Sequence, residues 1–586
     1  MIKQHPRNTV AKRIINFQPD LFVKPHSVHQ ASCARHLIAQ GYTIDHLVWP
    51  EVFIPSSVYN DSPSIEQFID IVLANHEPSI LAASQMHGLP GGLIIPTAKE
   101  LKPIIDATTS LLGSRPYIGK KVFLNGLDMS EIPFFDLALT YKASKICITG
   151  NNIYSKAYDL LLFANVLVFY YGKHLFSKQV YSTVFYFNDY GPMTAMCLAA
   201  RSSNVSSVTI TAPAISGADF DKINLFNRPE ILHRIKRNKI WHVVQGLGTP
   251  KAALLLMENE LSNKIGSKVH TSYSPSSTDW EHEDLDGIRS DMSRIVLFPS
   301  SNDELYATTA HIKSVLRIEL DDSLNLYSNQ FEWIRDIADQ CIEKKIQLIV
   351  RCHPRIDADH RGLPRSSEYD LWIQLGEQLE NMGHVFIKPS SSISSYDLLV
   401  LANIVFVSWS SIAIEASLLG KRVYQFFCNI SSVRHYPDDP CFLPHINEAV
   451  RLDRILSDAS ANNHLQSNFH LHASERIVQS AKFFTWYRYM TSFSYDDFDN
   501  MPNPKNQNKL FSNFLNRRGE PFVQSWPENE AYIHLINQLD AEQQYDKSTS
   551  DVSIEDQIVS LSKVFYESLS HSYPHCRSHL IVSWGF

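Results

Sequence analysis

Short apolar segments that end abruptly in polar turns recur along this chain, each followed by a stretch of helical periodicity. Ile346–Val350 runs into Arg351-Cys352-His353-Pro354. Ile404–Val407 runs into Ser408-Trp409-Ser410-Ser411 and then the helix-like Ile412–Leu419. Alternation of this kind favours an α/β fold with mostly parallel sheets. In such sheets ligands bind in the crevice outside the carboxyl ends of the strands. The pattern therefore places His353, Ser410, Ser411 and Glu415 where one pocket can use them all.

At 586 residues the chain exceeds a single core, so two or three domains are expected. In the first half, predicted strands are Thr43–Trp49, Lys121–Leu124, Lys145–Thr149, Val166–Tyr170 and Ser207–Thr211, with helices over Ser64–Ala74, Ala98–Leu112 and Pro192–Ala200. A polar stretch over 263–294 reads as a linker or long loop. Alternation then restarts with strands Ile295–Phe298, Ile346–Val350, Val385–Ile387, Ile404–Val407 and Arg422–Phe427, between helices over Gln330–Lys344, Trp372–Met382, Ser395–Ala402 and Ile412–Leu419. The expected organisation is one α/β domain over 1–262, a second over 295–452, and an extension over 453–586. In that extension the aromatic-rich, helix-like Ala481–Phe493 is expected to cross back to the first domain, and an amphipathic helix is expected near Glu555–Leu569.

A hydrophobic content of 44% with 19% charged residues is that of an ordinary globular protein. The formal net charge of −8, with no basic tail or stripe, argues against nucleic acid as a partner. The basic run Arg234–Lys239 reads as a solvated face. Eight scattered cysteines form no CxxC pair, which argues against zinc and against a disulfide framework. The N-terminus lacks the apolar core of a signal peptide. The longest apolar run, Leu160–Tyr171, falls well short of the ~20 residues of a bilayer span. A cytoplasmic protein is expected, with peripheral contact at the inner face of the plasma membrane left open.

Each candidate side chain has a chemical reason and a plainer alternative. Ser410 and Ser411, at a strand–helix turn, can bind an anion with the first helical N–H groups, or Ser410 can simply cap the helix. Glu415, one turn on in a helix otherwise nearly all apolar, needs a partner and can accept from two ribose hydroxyls. His353, bracketed by Arg351 and Arg355, suits a polyanion such as a phosphate. Ser391 sits in the hydroxyl-rich Ser390-Ser391-Ser392 turn ahead of a helix. For the reacting carboxylate, Asp189 in Phe187-Asn188-Asp189-Tyr190-Gly191-Pro192 ranks first, with Asp128, Glu131, Asp303 and Glu304 behind it. The Gly246-Leu247-Gly248-Thr249 turn is a weaker candidate for lining the cleft.

Taken together, the Arg-x-His-Pro turn at 351–354, the Tyr396-Asp397-Leu398-Leu399 helix, the Ser-x-Ser-Ser-x-x-x-Glu-Ala segment at 408–416 and Phe298-Pro299-Ser300-Ser301-Asn302-Asp303-Glu304 resemble the donor-binding domain of GT-B glycosyltransferases. The resemblance is to bacterial capsule-synthesis proteins, and similar His-Pro and Ser-Ser pairs occur in sialyl- and Kdo-transferases and teichoic-acid polymerases, which use cytidine-nucleotide donors. It covers Ile295–Phe427. It implies a GT-B-like fold of two Rossmann-like domains facing a cleft, with a C-terminal helical extension. His353 would contact the donor phosphate, Ser410 and Ser411 would bind it, and Glu415 would approach the ribose; from their own positions in the sequence, Arg351 and Ser391 are expected to join the donor-binding set. The catalytic group would come from the first domain across the cleft. No metal or other cofactor is implied beyond a nucleotide-sugar donor, and the acceptor would be a polysaccharide or glycolipid.

The resulting expectation is a glycosyltransferase moving a CMP-linked acidic sugar, such as Kdo or sialic acid, to a capsule or lipopolysaccharide chain. Three alternatives use the same crevice: a UDP- or GDP-hexose transferase, a UDP-sugar 2-epimerase or CDP-polyol phosphotransferase, and a non-catalytic polysaccharide-assembly partner.

Overall fold

The computed structural model describes residues 13–21, 24–39, 41–53, 63–74, 77–86, 88–143, 153–211, 222–226, 241, 287–289, 291–316, 325–358, 365–426, 436–461, 476–477, 479–483 and 492–494. The first unit contains β1 (Arg13–Gln18), α1 (Lys24–Ala39), β2 (Thr43–Val48), α2 (Ile65–Leu73), α3 (Glu77–Met86), β3 (Gly92–Ile94), α4 (Ala98–Leu112), the small pair β4 (Phe123–Leu124) and β5 (Leu127–Asp128), α5 (Pro133–Tyr141), α6 (Ile153–Lys178), β6 (Thr183–Phe187), α7 (Gly191–Ser202), β7 (Ser206–Thr211) and β8 (Lys222–Phe226). The second contains β9 (Ser293–Phe298), α8 (Asn302–Leu316), α9 (Gln330–Glu343), β10 (Ile346–Arg351), α10 (Tyr369–Asn381), β11 (Val385–Ile387), α11 (Ser395–Leu401), β12 (Ile404–Val407), α12 (Ile412–Leu418), β13 (Arg422–Gln425) and α13 (Ala449–Ser460). A last strand, β14 (Ser492–Ser494), follows.

The two sheets share one plan. In the first, the order is β14-β8-β7-β6-β1-β2-β3, parallel from β7 to β3 and antiparallel at β8 and β14. In the second, the order is β11-β10-β9-β12-β13, all parallel. Each chain path starts at a central strand, runs outward to one side, then returns to build the other side. The order therefore reverses between β1 and β6 in the first sheet and between β9 and β12 in the second. Such switch points leave a crevice at the carboxyl edge where the two flanking loops diverge.

Alternate residues of each strand feed opposite layers, as a pleat requires. Ile15 and Phe17 of β1 join Leu47, Val184 and Tyr186 against α6 and α7. Ile14 turns to the α1 side with Leu37, Phe185 and Ile210. Val166–Tyr170, expected as a strand, lies inside α6, whose 26 residues are buried on nearly every side. A helix buried all round shows no amphipathic period, so the apolar run alone did not distinguish it from a core strand. It is also long and apolar enough to cross a bilayer, although 72% of its apolar window is buried in the protein. The expected strand at Lys121–Leu124 shrinks to β4, which meets β5 across Asn125-Gly126, both at positive φ (51° and 73°). That dipeptide is the preferred two-residue hairpin turn.

The units meet through helices. By sequence α8 belongs to the second unit, yet it packs on α5 of the first. Tyr306 of α8 stands edge-on to Phe134, and His311 lies 5.3 Å from the ring of Phe135. After α13 the chain stays on the second unit through Arg476, which donates to the Gly420 carbonyl, and Ser480, which donates to Ser417 Oγ. It then reaches the first sheet, where β14 pairs with β8. The stretch expected as a helix over Ala481–Phe493 thus ends in the strand β14. The fold is the expected α/β pair of Rossmann-like sheets. The strand expected at Lys145–Thr149, the Gly246–Thr249 turn and the helix near Glu555–Leu569 lie outside the described residues.

Candidate active site at the seam between the sheets

The carboxyl edges of both sheets open on the α5–α8 seam. On the second-unit side, β10 delivers the Arg351–Arg355 turn. Arg355 donates to Asp303 Oδ2 through Nε (3.1 Å) and Nη2 (2.9 Å), and from Nη2 to the Leu139 carbonyl of α5 (3.0 Å). Glu304, on the first turn of α8, lies 3.7 Å from Arg355 Nε. Lys142, at the end of α5, donates to the Asp357 carbonyl (2.8 Å), and its own carbonyl accepts from Ser366 Oγ (2.9 Å). The first unit thus contributes a cation beside the His353 turn.

His353 Nδ1 accepts the Arg355 backbone N–H at 3.1 Å, which leaves the proton of the neutral ring on Nε2. Burial, then the cations Arg355, Arg351 and Lys142, push its pKa down to about 3. His353 is therefore a neutral hydrogen-bond donor at ordinary pH, in surroundings that favour an anion.

Arg351, expected to face the donor, is 1% exposed. Its Nη1 donates to the carbonyls of Lys388 (2.5 Å) and Cys352 (3.1 Å), and Nη2 reaches the Ser391 carbonyl at 3.4 Å. It shapes the serine turn from within. Ser391 Oγ accepts from Ile393 N and Ser394 caps α11 through Tyr396 N.

At the switch point, Ser300 Oγ donates to the Trp409 carbonyl, joining the loops after β9 and β12. Ser410 Oγ accepts from Ile412 N over a long 3.5 Å, and Ser411, exposed and in helical conformation, makes no side-chain cap. The following α12 spans seven residues, so the anion affinity expected from its dipole is modest and falls to the hydroxyls instead. Ser408 Oγ is buried with no hydrogen-bond partner among the described residues. Glu415 has the partner its apolar helix demanded: Tyr396 OH donates to its Oε2 at 2.8 Å.

On the first-unit side, Asp189 follows β6 after Asn188, which sits at φ 62°. Asp189 Oδ1 accepts from Thr209 Oγ1 (3.1 Å), and Oδ2 lies 3.6 Å from His311 Nε2, with the carboxylate side chain 9% exposed. Asp189 is thus engaged from both sides of the seam. Asp128 and Glu131 are both engaged by Lys121, at 3.2 Å and 2.8 Å. Asp136 of α5 accepts Gly191 N (3.0 Å), and burial raises its pKa to about 7.

One pair was not read from the sequence. Asp20, after β1, is wholly buried, and it accepts from His26 Nδ1 (2.7 Å) and Gln30 Nε2 (3.1 Å). His26 stacks on Phe187 at 4.3 Å and faces Tyr190 at 6.5 Å. The signal in sequence was faint: β1 is interrupted by Asn16 and Gln18, so Pro19-Asp20 and the following His26 and His29 do not stand at an evident strand end.

No protein-family model and no curated protein matches the chain. Solved structures do. A UDP-GlcNAc 2-epimerase from Neisseria meningitidis, bound to UDP-GlcNAc, matches at 9% identity and a TM-score of 0.26, over 81% of this chain and 98% of that one. Thermosulfurimonas dismutans KpsC, a beta Kdo 2,4 transferase, matches at 13% identity and a TM-score of 0.25, over 42% of this chain and 69% of that one. At these scores neither likeness bears on chemistry. Among the described residues no group of three His, Cys, Asp or Glu side chains is arranged to hold a metal ion, and Cys33, Cys197, Cys341, Cys352 and Cys441 are free thiols.

Proposed function

We propose that this chain is a GT-B-type glycosyltransferase that takes a sugar from a nucleotide donor, a CMP-linked acidic sugar such as Kdo or sialic acid, to a capsule or lipopolysaccharide acceptor. The observation that carries the reading is the meeting of both carboxyl edges at one seam, with neutral His353 set among Lys142, Arg351 and Arg355 on the donor side. A nucleotide phosphate there would accept from His353 Nε2 and from the hydroxyls of Ser410 and Ser411. Developing charge on the leaving phosphate is stabilised by such fixed donors more than by water, because they need no reorganisation. Glu415, oriented by Tyr396, would meet the ribose. Residues 295–452 would form the donor half and residues 1–262 the acceptor half. The chemistry so assigned needs no bound metal, and the enzyme would work at the cytoplasmic face of the membrane that carries its acceptor.

Calorimetric titration with CMP and UDP tests this directly. CMP is expected to bind with Kd below ~1 mM and more tightly than UDP, and a CMP-sugar should release CMP faster when acceptor polysaccharide is added. Tighter UDP binding would redirect the donor assignment. A chain that binds neither nucleotide would be an assembly partner rather than an enzyme.

A further inference from the structure

The switch point of the first sheet carries a second polar constellation, separate from the donor side. Strand β1 ends in Gln18, and the chain turns through Asp20 into α1, while β6 ends beside it in Phe187. Asp20 is buried, with one oxygen on His26 Nδ1 and the other on Gln30 Nε2. A carboxylate in that position holds the imidazole proton on Nδ1 and leaves the Nε2 lone pair outward. The His26 side chain is 16% exposed, and its Nε2 has no hydrogen-bond partner among the described residues. Rings frame it: Phe187 beneath, then Tyr190, which stands edge-on to Phe53 (5.5 Å) and Phe135 (6.1 Å). Phe135 in turn touches His311 of α8. The dyad therefore lies at one end of a line of ring contacts that runs from β6 to the seam.

We propose that His26 is the general base that activates the acceptor hydroxyl, with Asp20 as its positioning residue. This rests on the transferase reading above. The acceptor O–H gives its proton to His26 Nε2 as its oxygen forms a bond to the anomeric carbon. The bond from that carbon to the nucleotide phosphate breaks, and the phosphate departs with the electron pair. Asp20 stabilises the imidazolium, which returns its proton to water after product leaves. A single displacement of this kind inverts the anomeric configuration. The neighbouring rings favour an acceptor that presents a hydroxyl from an apolar ring face, as a sugar does when it stacks on an aromatic side chain.

Calorimetry and turnover on the full chain separate the two ideas, because failure of the donor reading shows as absent CMP binding by the unaltered protein. His26→Gln is expected to bind CMP with unchanged affinity while kcat falls about 10²–10⁴-fold and the donor KM moves less than threefold. Asp20→Asn should lower kcat in the same way without weakening CMP. A His26→Gln protein that keeps kcat within threefold, or that loses CMP binding along with turnover, overturns the proposal, as does a product with retained anomeric configuration. A readout independent of any sugar is carbethoxylation by diethyl pyrocarbonate at pH 8, mapped by mass spectrometry. His26 should react well ahead of His29 and His46, each 1% exposed. An inert His26 would equally overturn it.

Discussion

Asp189 Oδ2 of the first unit and His311 Nε2 of the second face each other at 3.6 Å across the seam. Both side chains are nearly buried, so the contact joins the units rather than presenting a reactive carboxylate. Asp189→Asn is expected to cost about 1–2 kcal/mol of stability and to lower turnover less than tenfold, read by urea unfolding and an initial-rate assay. A loss near 10³-fold in a stably folded variant would restore Asp189 as the base.

His353→Ala should reduce nucleotide affinity or turnover about 10²-fold while leaving the unfolding midpoint close to that of the parent, since the ring is half-buried. Its folded pKa of about 3 lies below the ordinary 6.5. Between those values the unfolded chain binds the extra proton. The contribution to stability is therefore complete above about pH 6.5 and is lost as pH falls toward 3. Stability curves of parent and variant should diverge in shape only across that acid window.

Asp136 has the opposite sign. Its pKa is raised from 3.8 to about 7 by burial, so the folded state holds the proton longer than the unfolded one. Stability is expected to decline as pH climbs from about 4 through 7, by a few kcal/mol at most. Asp136→Asn should flatten that decline in denaturant titrations run from pH 5 to 9.

Arg355→Ala removes the cation from the buried Asp303 and from the Leu139 carbonyl. Stranding a buried carboxylate costs about 3–5 kcal/mol, so the variant should unfold at markedly lower urea. Arg355→Lys, which can reach one of these partners but not both, should fall between.

The second sheet was legible because its strands are dense in β-branched and apolar residues and its loops break cleanly into polar turns. Ile404–Val407 is bounded as expected, and α9 and α11 differ by one residue at their ends. The start of the first sheet was not legible. Asn16 and Gln18 interrupt β1, and only the fold explains them: Asn16 Nδ2 donates to His46 Nδ1 at 2.8 Å inside the layer beneath α1. With β1 unread, Asp20 and His26 had no strand end to belong to. At the candidate site, His353 and Glu415 stand out in sequence by the company they keep. Arg351 looked equivalent to Arg355 in the text, and the direction each guanidinium takes is set by packing. Ser410 and Ser411 were read correctly as a strand–helix turn, but the helix after them is too short to lend the charge its position promised.

The pairing of β14 with β8 means that the polypeptide travels from the first sheet to the second and then back again. The second unit is therefore tied to the first on both sides of its sequence, before β9 and after α13. Parting the two units would have to break the β8–β14 pairing at the edge of the first sheet as well as the α5–α8 packing, so the last strand makes unfolding of one unit a concern of the other.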